Sequence, residues 1–245
     1  MNRRNWFTNV VGGTALAALA AFSFPSTLSA QVRTRRNQPS GKAMPTMKRY
    51  DNSFFYKDGK FDAEAGKQAF RELFKFHNYS LANVVDDERF WVADFALGDF
   101  ANVGMGGIFW VNDKEHNYFG HEIYLLPFQM IPEHSHVAAD GKPAKHEYWQ
   151  VRHGSIYNFG KGGKKDDPMP PGVVLPKSQM DDNAISCFKW KELTTQTGFG
   201  KGEDVLTALG DWHFMMGGPN GTIVTEYASW HSGNGLRLHN PKAKA

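Results

Sequence analysis

His134 and His136, two residues apart, are the feature that most constrains this 245-residue chain. On a β-strand, residues i and i+2 point to the same face, so both imidazoles can aim at one point. Glu147 follows His136 at a sequence distance that suits the partner strand of a hairpin, and Gly154 closes that second strand. The segment 129–154 therefore predicts a strand pair that offers three ligands to a divalent metal. The alternative is a surface strand, because a short His-x-His match often occurs by chance.

A second motif lies downstream, in residues 205–227. Gly210 and Asp211 form a predicted tight turn, and His213 follows at the start of a strand. An imidazole from this separate strand would complete a shell of three nitrogens and one carboxylate. The alternative for His213 is a core histidine beside Trp212.

Together these motifs resemble the cupin superfamily. The first family motif has the form His-x-His, spacer, Glu, six residues, Gly, and the second has the form Pro-x-Gly-x-x-His. Ala208 stands where the second pattern has proline, and a ten-residue spacer replaces the usual three or four. That spacer leaves His146 as an alternative to Glu147. The resemblance implies an all-β double-stranded β-helix (jelly-roll) barrel and the metal ligands His134, His136, Glu147 and His213.

Lys145, two residues before Glu147, is typical of the D-lyxose isomerase branch of cupins. The phrases Leu126-Pro127, Gln129, Pro132-Glu133-His134 and Gly210-Asp211-Trp212-His213 are also similar to that branch, over residues 90–238. This resemblance implies a metal-dependent sugar isomerase that interconverts an aldose and a ketose. It implies Mn²⁺ as the metal, with Fe²⁺, Zn²⁺ and Co²⁺ as alternatives, and a small sugar as the substrate.

Aldose–ketose exchange needs a Lewis acid at the sugar oxygens and a base near C2. Lys145 is the candidate base, with a pKa that a nearby cation would depress, or else a hydrogen-bond donor to a sugar oxygen. Glu226 is its candidate carboxylate partner, because the 217–221 turn is expected to fold its strand back beside His213. A structural glutamate is the alternative. Either Tyr148 or Trp149 could line a sugar pocket, although core packing is the alternative for Trp149.

Four other functional classes fit parts of the pattern. A cupin dioxygenase would use iron in the same shell with an apolar substrate pocket, and an oxalate-type decarboxylase would use manganese without needing Lys145. A metal-free sugar epimerase would need a His–Asp pair rather than three histidines. A non-catalytic periplasmic sugar- or metal-binding cupin would bind its ligand without turnover.

The amino terminus has the pattern of a signal peptide over residues 1–30. Arg3-Arg4 precedes an apolar run, 10–24, and a small-residue cleavage site, which resembles a twin-arginine export signal. This predicts a periplasmic protein, with a general secretory signal as the alternative. The apolar run is too short to predict a stable membrane anchor.

Residues 31–49 are predicted to be a flexible linker, and residues 50–245 a single cupin domain with a helical extension. The helix is predicted from the cap at Asp62 to about Phe76, packed on the barrel. A net charge of +3 without a basic stripe gives no support for nucleic-acid binding. Cys187 is the only cysteine, so no intramolecular disulfide can form, and we expect a partly buried structural thiol. A homodimer is one of the assemblies the sequence leaves open.

Overall fold

Aromatic and β-branched runs after Phe90 form antiparallel strands, as their composition predicts. The computed structural model describes residues 45–180, 183–197 and 210–245. The predicted signal peptide, residues 31–44 of the predicted linker, and Ala208 lie outside the described residues. The helices and strands, in chain order, are α1 (Asn52–Phe55), β1 (Tyr56–Lys57), β2 (Lys60–Phe61), α2 (Ala63–Phe76), β3 (Phe90–Ala93), β4 (Met105–Asp113), β5 (Tyr118–Leu125), β6 (His134–His136), β7 (Glu147–Gly160), α3 (Lys177–Met180), β8 (Lys189–Thr194), β9 (Phe214–Ala228) and β10 (Leu236–Leu238).

One six-stranded sheet, in the order β3-β4-β5-β9-β7-β8, forms most of the barrel. A second pair, β6 and β10, lies across from it, and isolated bridges join His134 to His213 and Met130 to Met216. The long strand β9 therefore takes part in both walls, because its first half borders the 130–134 segment and its second half borders β5. This is the predicted double-stranded β-helix barrel.

The 217–221 segment does not fold the chain back, so that expectation was wrong. Both halves of β9 pair antiparallel with β7, from Phe214 to Gly217 and again from Thr222 onward. The intervening residues form a bulge opposite Gly154, whose φ is +73°. A Cβ at Gly154 would lie 2.1 Å from the carbonyl oxygen of Gly221, so only glycine fits this close approach. Glu226 is therefore reached along one strand that pairs with β7 on both sides of the bulge, and not through a hairpin.

The predicted helix is α2, and it packs on the outer face of the sheet. Asp62 caps it by accepting hydrogen bonds from the backbone N–H groups of Glu64 and Ala65. Phe70 and Phe74 on its inner face are fully buried, and their rings contact Tyr124 of β5. This packing covers the outer face of β5 and leaves its inner face for the barrel interior.

Packed structure also extends into the range predicted as linker. Met47 is buried, and its backbone N–H donates to Asn220 Oδ1 at 3.0 Å. Among the described residues, no helix combines the length and apolarity needed to cross a bilayer.

Candidate active site

The four predicted metal ligands converge at one point inside the barrel. His134 and His136 lie on β6, Glu147 begins β7, and His213 immediately precedes β9. One ligand atom from each residue lies within 4.8 Å of the other three. Reciprocal backbone hydrogen bonds of 2.9 Å between His134 and His213 place their rings side by side, with centroids 4.4 Å apart. The cluster therefore follows from strand pairing rather than from chain proximity.

The orientation of the imidazoles suits a metal. His134 Nδ1 lies 2.9 Å from the carbonyl oxygen of Pro132, and His213 Nδ1 lies 2.9 Å from that of Asp211. A carbonyl oxygen only accepts hydrogen bonds, so each Nδ1 carries a proton, and Nε2 is the ring nitrogen that can bind a metal. Burial lowers the pKa of His134 well below its ordinary value, and the neighbouring His213 and His136 add to this effect. His134 is thus neutral, as a metal ligand must be.

Several of these ligand atoms have no hydrogen bond within the protein. The Nε2 atoms of His136 and His213 and the Oε1 atom of Glu147 are buried and unsatisfied. His213 Nε2 and Glu147 Oε1 are only 2.7 Å apart. Buried polar atoms without partners are costly, and a cation placed between them would satisfy the whole set. The residues therefore fit a divalent metal.

Glu147, and not His146, completes the cluster. The spacer between β6 and β7 holds a tight turn at Asp140 and Gly141, and Asp140 accepts hydrogen bonds from Asn234 at 3.1 and 3.2 Å. His146 is exposed, and its backbone N–H donates to Ser229 Oγ. Because alternate residues of a strand point to opposite faces, an outward His146 turns Glu147 inward.

Lys145, two residues before β7, and Glu226, on β9, lie next to the cluster. Lys145 Nζ is 2.8 Å from Glu147 Oε2 and donates a hydrogen bond to Glu226 Oε1. All three side chains are at most 7% exposed. The two catalytic residues predicted from sequence are therefore brought together, and both face the metal cluster.

Charge compensation fixes the protonation of this group. Burial alone would lower the pKa of Lys145, but the charges of Glu147 and Glu226 outweigh it and raise that pKa. Burial alone would raise the pKa of both carboxyls, but Lys145 holds each below its usual range. Lys145 is therefore an ammonium between two carboxylates. The depressed pKa expected beside a bound cation stays a prediction.

His121 is a site residue that the sequence reasoning missed. It lies opposite Glu226 in the β5–β9 register, with Nδ1 3.5 Å from Glu226 Oε2. Its ring stacks on Trp91 at a centroid distance of 5.6 Å. A Cβ at Gly107 would lie 2.5 Å from His121 Nε2, so glycine at that position makes room for the ring. The only available signal was parity, because His121 shares the inward face of its strand with Ile123 and Leu125.

A cavity of about 560 Å³ joins these groups. Trp149 lines it while also packing in the core, whereas Tyr148 on the same strand is 40% exposed and points outward. The missed residue His231 also lines the cavity, and burial lowers its pKa to about 4.

Cys187 is buried as expected, and burial raises the pKa of its thiol to about 12. It is therefore not an activated nucleophile.

Barrel and cluster together define a cupin whose interior can hold a metal beside an acid–base pair. No family model matches the sequence. The chain is 31% identical over 144 residues to the D-lyxose/D-mannose isomerase of Thermosediminibacter oceani, covering 59% of this chain and 72% of that protein. It is 30% identical over 145 residues to the D-lyxose ketol-isomerase of Cohnella laeviribosi, covering 58% and 71%. The chain therefore belongs to the D-lyxose ketol-isomerase family, whose members are aldose–ketose isomerases.

A solved structure agrees at the level of the fold. The L-ribose isomerase of Cellulomonas parahominis, solved with L-psicose, superposes with a TM-score of 0.50 at 15% identity. The match covers 75% of this chain and 97% of that one. At this identity the likeness concerns the barrel alone.

Proposed function

We propose that this protein interconverts an aldose and its ketose by moving a proton between C1 and C2 of the open-chain sugar. The observation that carries the proposal is the buried Lys145–Glu226 pair, which faces the same cavity as the four-residue metal cluster. The names of the relatives make D-lyxose and D-mannose the first substrates to test.

His134, His136, Glu147 and His213 would hold the metal. When bound there, a divalent ion acts as a Lewis acid that polarises the carbonyl and hydroxyl oxygens of the sugar. We propose Mn²⁺, because a carboxylate and three imidazoles accept it and the resemblance to the isomerase branch implies it. Fe²⁺, Zn²⁺ and Co²⁺ are the competitors, and zinc binds such sites more tightly than manganese does.

Glu226 would move the carbon-bound proton. Its pKa is lowered, so it is a carboxylate at neutral pH, and its Oε2 atom is not occupied by Lys145. The C2–H bond breaks and the proton passes to Oε2. The electron pair of that bond forms the C1–C2 double bond as the C1=O1 π bond opens, and O1 takes the negative charge of an enediolate. The same Oε2 then returns the proton to C1, which the C1–C2 π electrons bind, while the hydroxyl proton of O2 passes to O1 and the C2=O2 bond forms.

Lys145 would serve as a donor rather than a base. Its ammonium bridges Glu147 and Glu226, and it lines the cavity where the sugar oxygens must lie. From that position it donates a hydrogen bond to O1 or O2 as negative charge develops there. A decarboxylase or a dioxygenase would have no comparable need for a lysine between two buried carboxylates.

The proposal is tested by solvent exchange. Metal-free protein is reconstituted anaerobically with Mn²⁺ and given an aldose panel in D₂O, with ketose formation and deuterium at C2 followed by NMR. We expect exchange and product with at least one aldose, and loss of both in Glu226→Gln with metal still bound. If no aldose exchanges its C2 proton at stoichiometric metal, the isomerase mechanism is wrong. Sugar binding without exchange would instead indicate the non-catalytic binding cupin.

A further inference from the structure

The cavity has a polar level and an apolar level. Register places His121, Glu226 and Trp149 side by side on β5, β9 and β7. Two residues further along β5 the inward side chain is Ile123, which lines the cavity. Two strand residues span about 7 Å, so the apolar level begins roughly one sugar's reach from the acid–base pair.

The wall beyond this level offers almost nothing that can bind a hydroxyl group. Among the described lining residues there is no serine, threonine, tyrosine, asparagine, glutamine, aspartate or arginine. The apolar lining comprises Ala93, Phe95, Met105, Ile123, Ile131 and Met215. Every charged side chain of the lining belongs to the metal cluster or to the group around Glu226.

Three further unpartnered nitrogen atoms line the cavity, and they lie at its polar level. Nε1 of Trp91, Nε1 of Trp149 and Nδ1 of His231 are buried, and their rings lie beside His121, Glu226 and His136. On the apolar lining itself, no described side chain offers a strong acceptor for the hydrogen of a sugar hydroxyl. Burying a hydroxyl without that partner is unfavourable. Ether or carbonyl oxygens, or no oxygen at all, suit this region better.

We propose that the substrate is an aldose whose end remote from the carbonyl is apolar, either deoxygenated at the terminal carbon or carrying an apolar substituent there. This rests on the proposed function, because isomerisation requires a free C1 carbonyl and C2 hydroxyl at the polar level. Those requirements leave only the remote carbons for the apolar group. At 560 Å³ the cavity is within the range that accommodates ligands larger than a simple pentose.

The first test compares sugars that differ in one group. D-Mannose, 6-deoxy-D-mannose and 6-O-butyl-D-mannose are assayed with the Mn²⁺-loaded protein. We expect kcat/KM to favour 6-deoxy-D-mannose over D-mannose by about 10- to 100-fold, the discrimination an apolar pocket achieves against an added hydroxyl. The butyl ether distinguishes a substrate that is deoxygenated at the terminal carbon from one that carries an apolar substituent there. Only an enzyme whose pocket binds such a substituent would turn the ether over at least as well as the deoxy sugar. Equal or better turnover of D-mannose overturns this inference and leaves the isomerase function intact.

A binding measurement separates this inference from the proposed function. Trp91 and Trp149 line the cavity, so intrinsic fluorescence should report sugar binding in the Glu226→Gln variant without turnover. We expect at least tenfold tighter binding of 6-deoxy-D-mannose than of D-mannose. If no aldose exchanges its C2 proton but this preference is present, the isomerase function fails and the pocket assignment stands. Absence of the preference rejects the pocket assignment.

Matched variants then locate the apolar wall. Met105→Gln places an amide donor and acceptor on that wall at similar length, and Met105→Leu keeps it apolar. We expect the glutamine variant to reduce the preference for the deoxy sugar about tenfold, and the leucine variant to keep it. Met215→Gln is the second variant should Met105→Gln fail to fold, as judged by thermal unfolding and metal content. An unchanged preference in a folded glutamine variant counts against the proposal.

Discussion

Lys145 donates a hydrogen bond to Glu226, although 81 residues separate them in the chain. Because Lys145 also contacts Glu147, one ammonium serves two buried carboxylates, and the group carries one net negative charge. Buried net charge is costly unless it is compensated. A divalent cation at the adjoining histidines would supply that compensation. The acid–base pair and the metal site are therefore one electrostatic unit.

The histidine pair of β6 should control metal content. We expect His134→Ala with His136→Ala to reduce bound manganese from about one equivalent to near zero, because half of the donor set is removed. His146→Ala is the matched control and should keep its metal, since His146 is exposed and faces away from the cluster. Elemental analysis after dialysis measures both. Retained stoichiometric metal in the double variant would refute the ligand assignment.

The carboxylate of Glu226 should matter for turnover rather than for metal binding. We expect Glu226→Gln to lower kcat by about 10²- to 10⁴-fold, the usual contribution of a positioned acid–base group. Metal content should not change, because Glu226 is not among the four ligands. Glu192→Gln, an exposed position on β8, is the control that should leave kcat unchanged. A Glu226→Gln variant with normal kcat would remove Glu226 from the mechanism.

His121 should act as a positioning residue for Glu226. We expect His121→Phe to lower kcat by about 10- to 100-fold, as is typical for partners that orient a site from outside it. The acid limb of the kcat–pH profile should also move, because His121 Nδ1 faces Glu226 Oε2. His121→Gln should recover part of the loss by restoring a donor. If the phenylalanine variant changes only thermal stability and leaves the pH profile unmoved, His121 has a structural role alone.

The metal-free protein should lose stability as the pH falls below 6.5. Burial lowers the pKa of His231 from 6.5 to about 4, with the charge of Lys145 contributing. The unfolded state therefore takes up a proton first, and the stabilisation present above pH 6.5 decreases as the pH falls toward 4. Each such histidine lowers the unfolding free energy by at most about 1.4 kcal/mol per pH unit.

Urea unfolding at several pH values between 7.5 and 4 measures this slope. His213 acts in the opposite sense: burial alone would lower its pKa, but Glu147 raises it. The comparison is therefore made between the parent protein and His231→Gln, in which the slope should be smaller. An identical slope in both proteins would exclude His231 as a source of acid sensitivity.

Export remains a prediction that concerns residues outside the described structure. We propose that the amino-terminal segment directs the folded, metal-loaded protein to the periplasm, since cytoplasmic loading would avoid competition from copper and zinc. We expect Arg3→Lys with Arg4→Lys to retain the protein in the cytoplasm, while mature periplasmic protein begins at Gln31. Fractionation and mass spectrometry measure both. Export that is unaffected by the double substitution would favour the general secretory route.

The sequence alone determined the strands and the residue types of the cluster. Alternation fixed His134 and His136 on one face, and the capping residue Asp62 with its apolar stripe fixed α2. These properties depend on residues that are close in the sequence, so they can be predicted without knowing how distant segments pair. The resemblance of the two motifs to the cupin superfamily then implied the barrel.

Only the tertiary structure decided which groups meet. Parity could not be counted across the bulge in β9, so neither the direction of its strand nor the side of Glu226 followed from the sequence. The long spacer likewise left Glu147 and His146 open until their strand was paired. His121 had no motif, and its contact with Glu226 exists only because β5 and β9 are neighbours. Strand register is set by long-range pairing. The motifs could therefore nominate Lys145 and Glu226, but not the contact of Glu226 with His121.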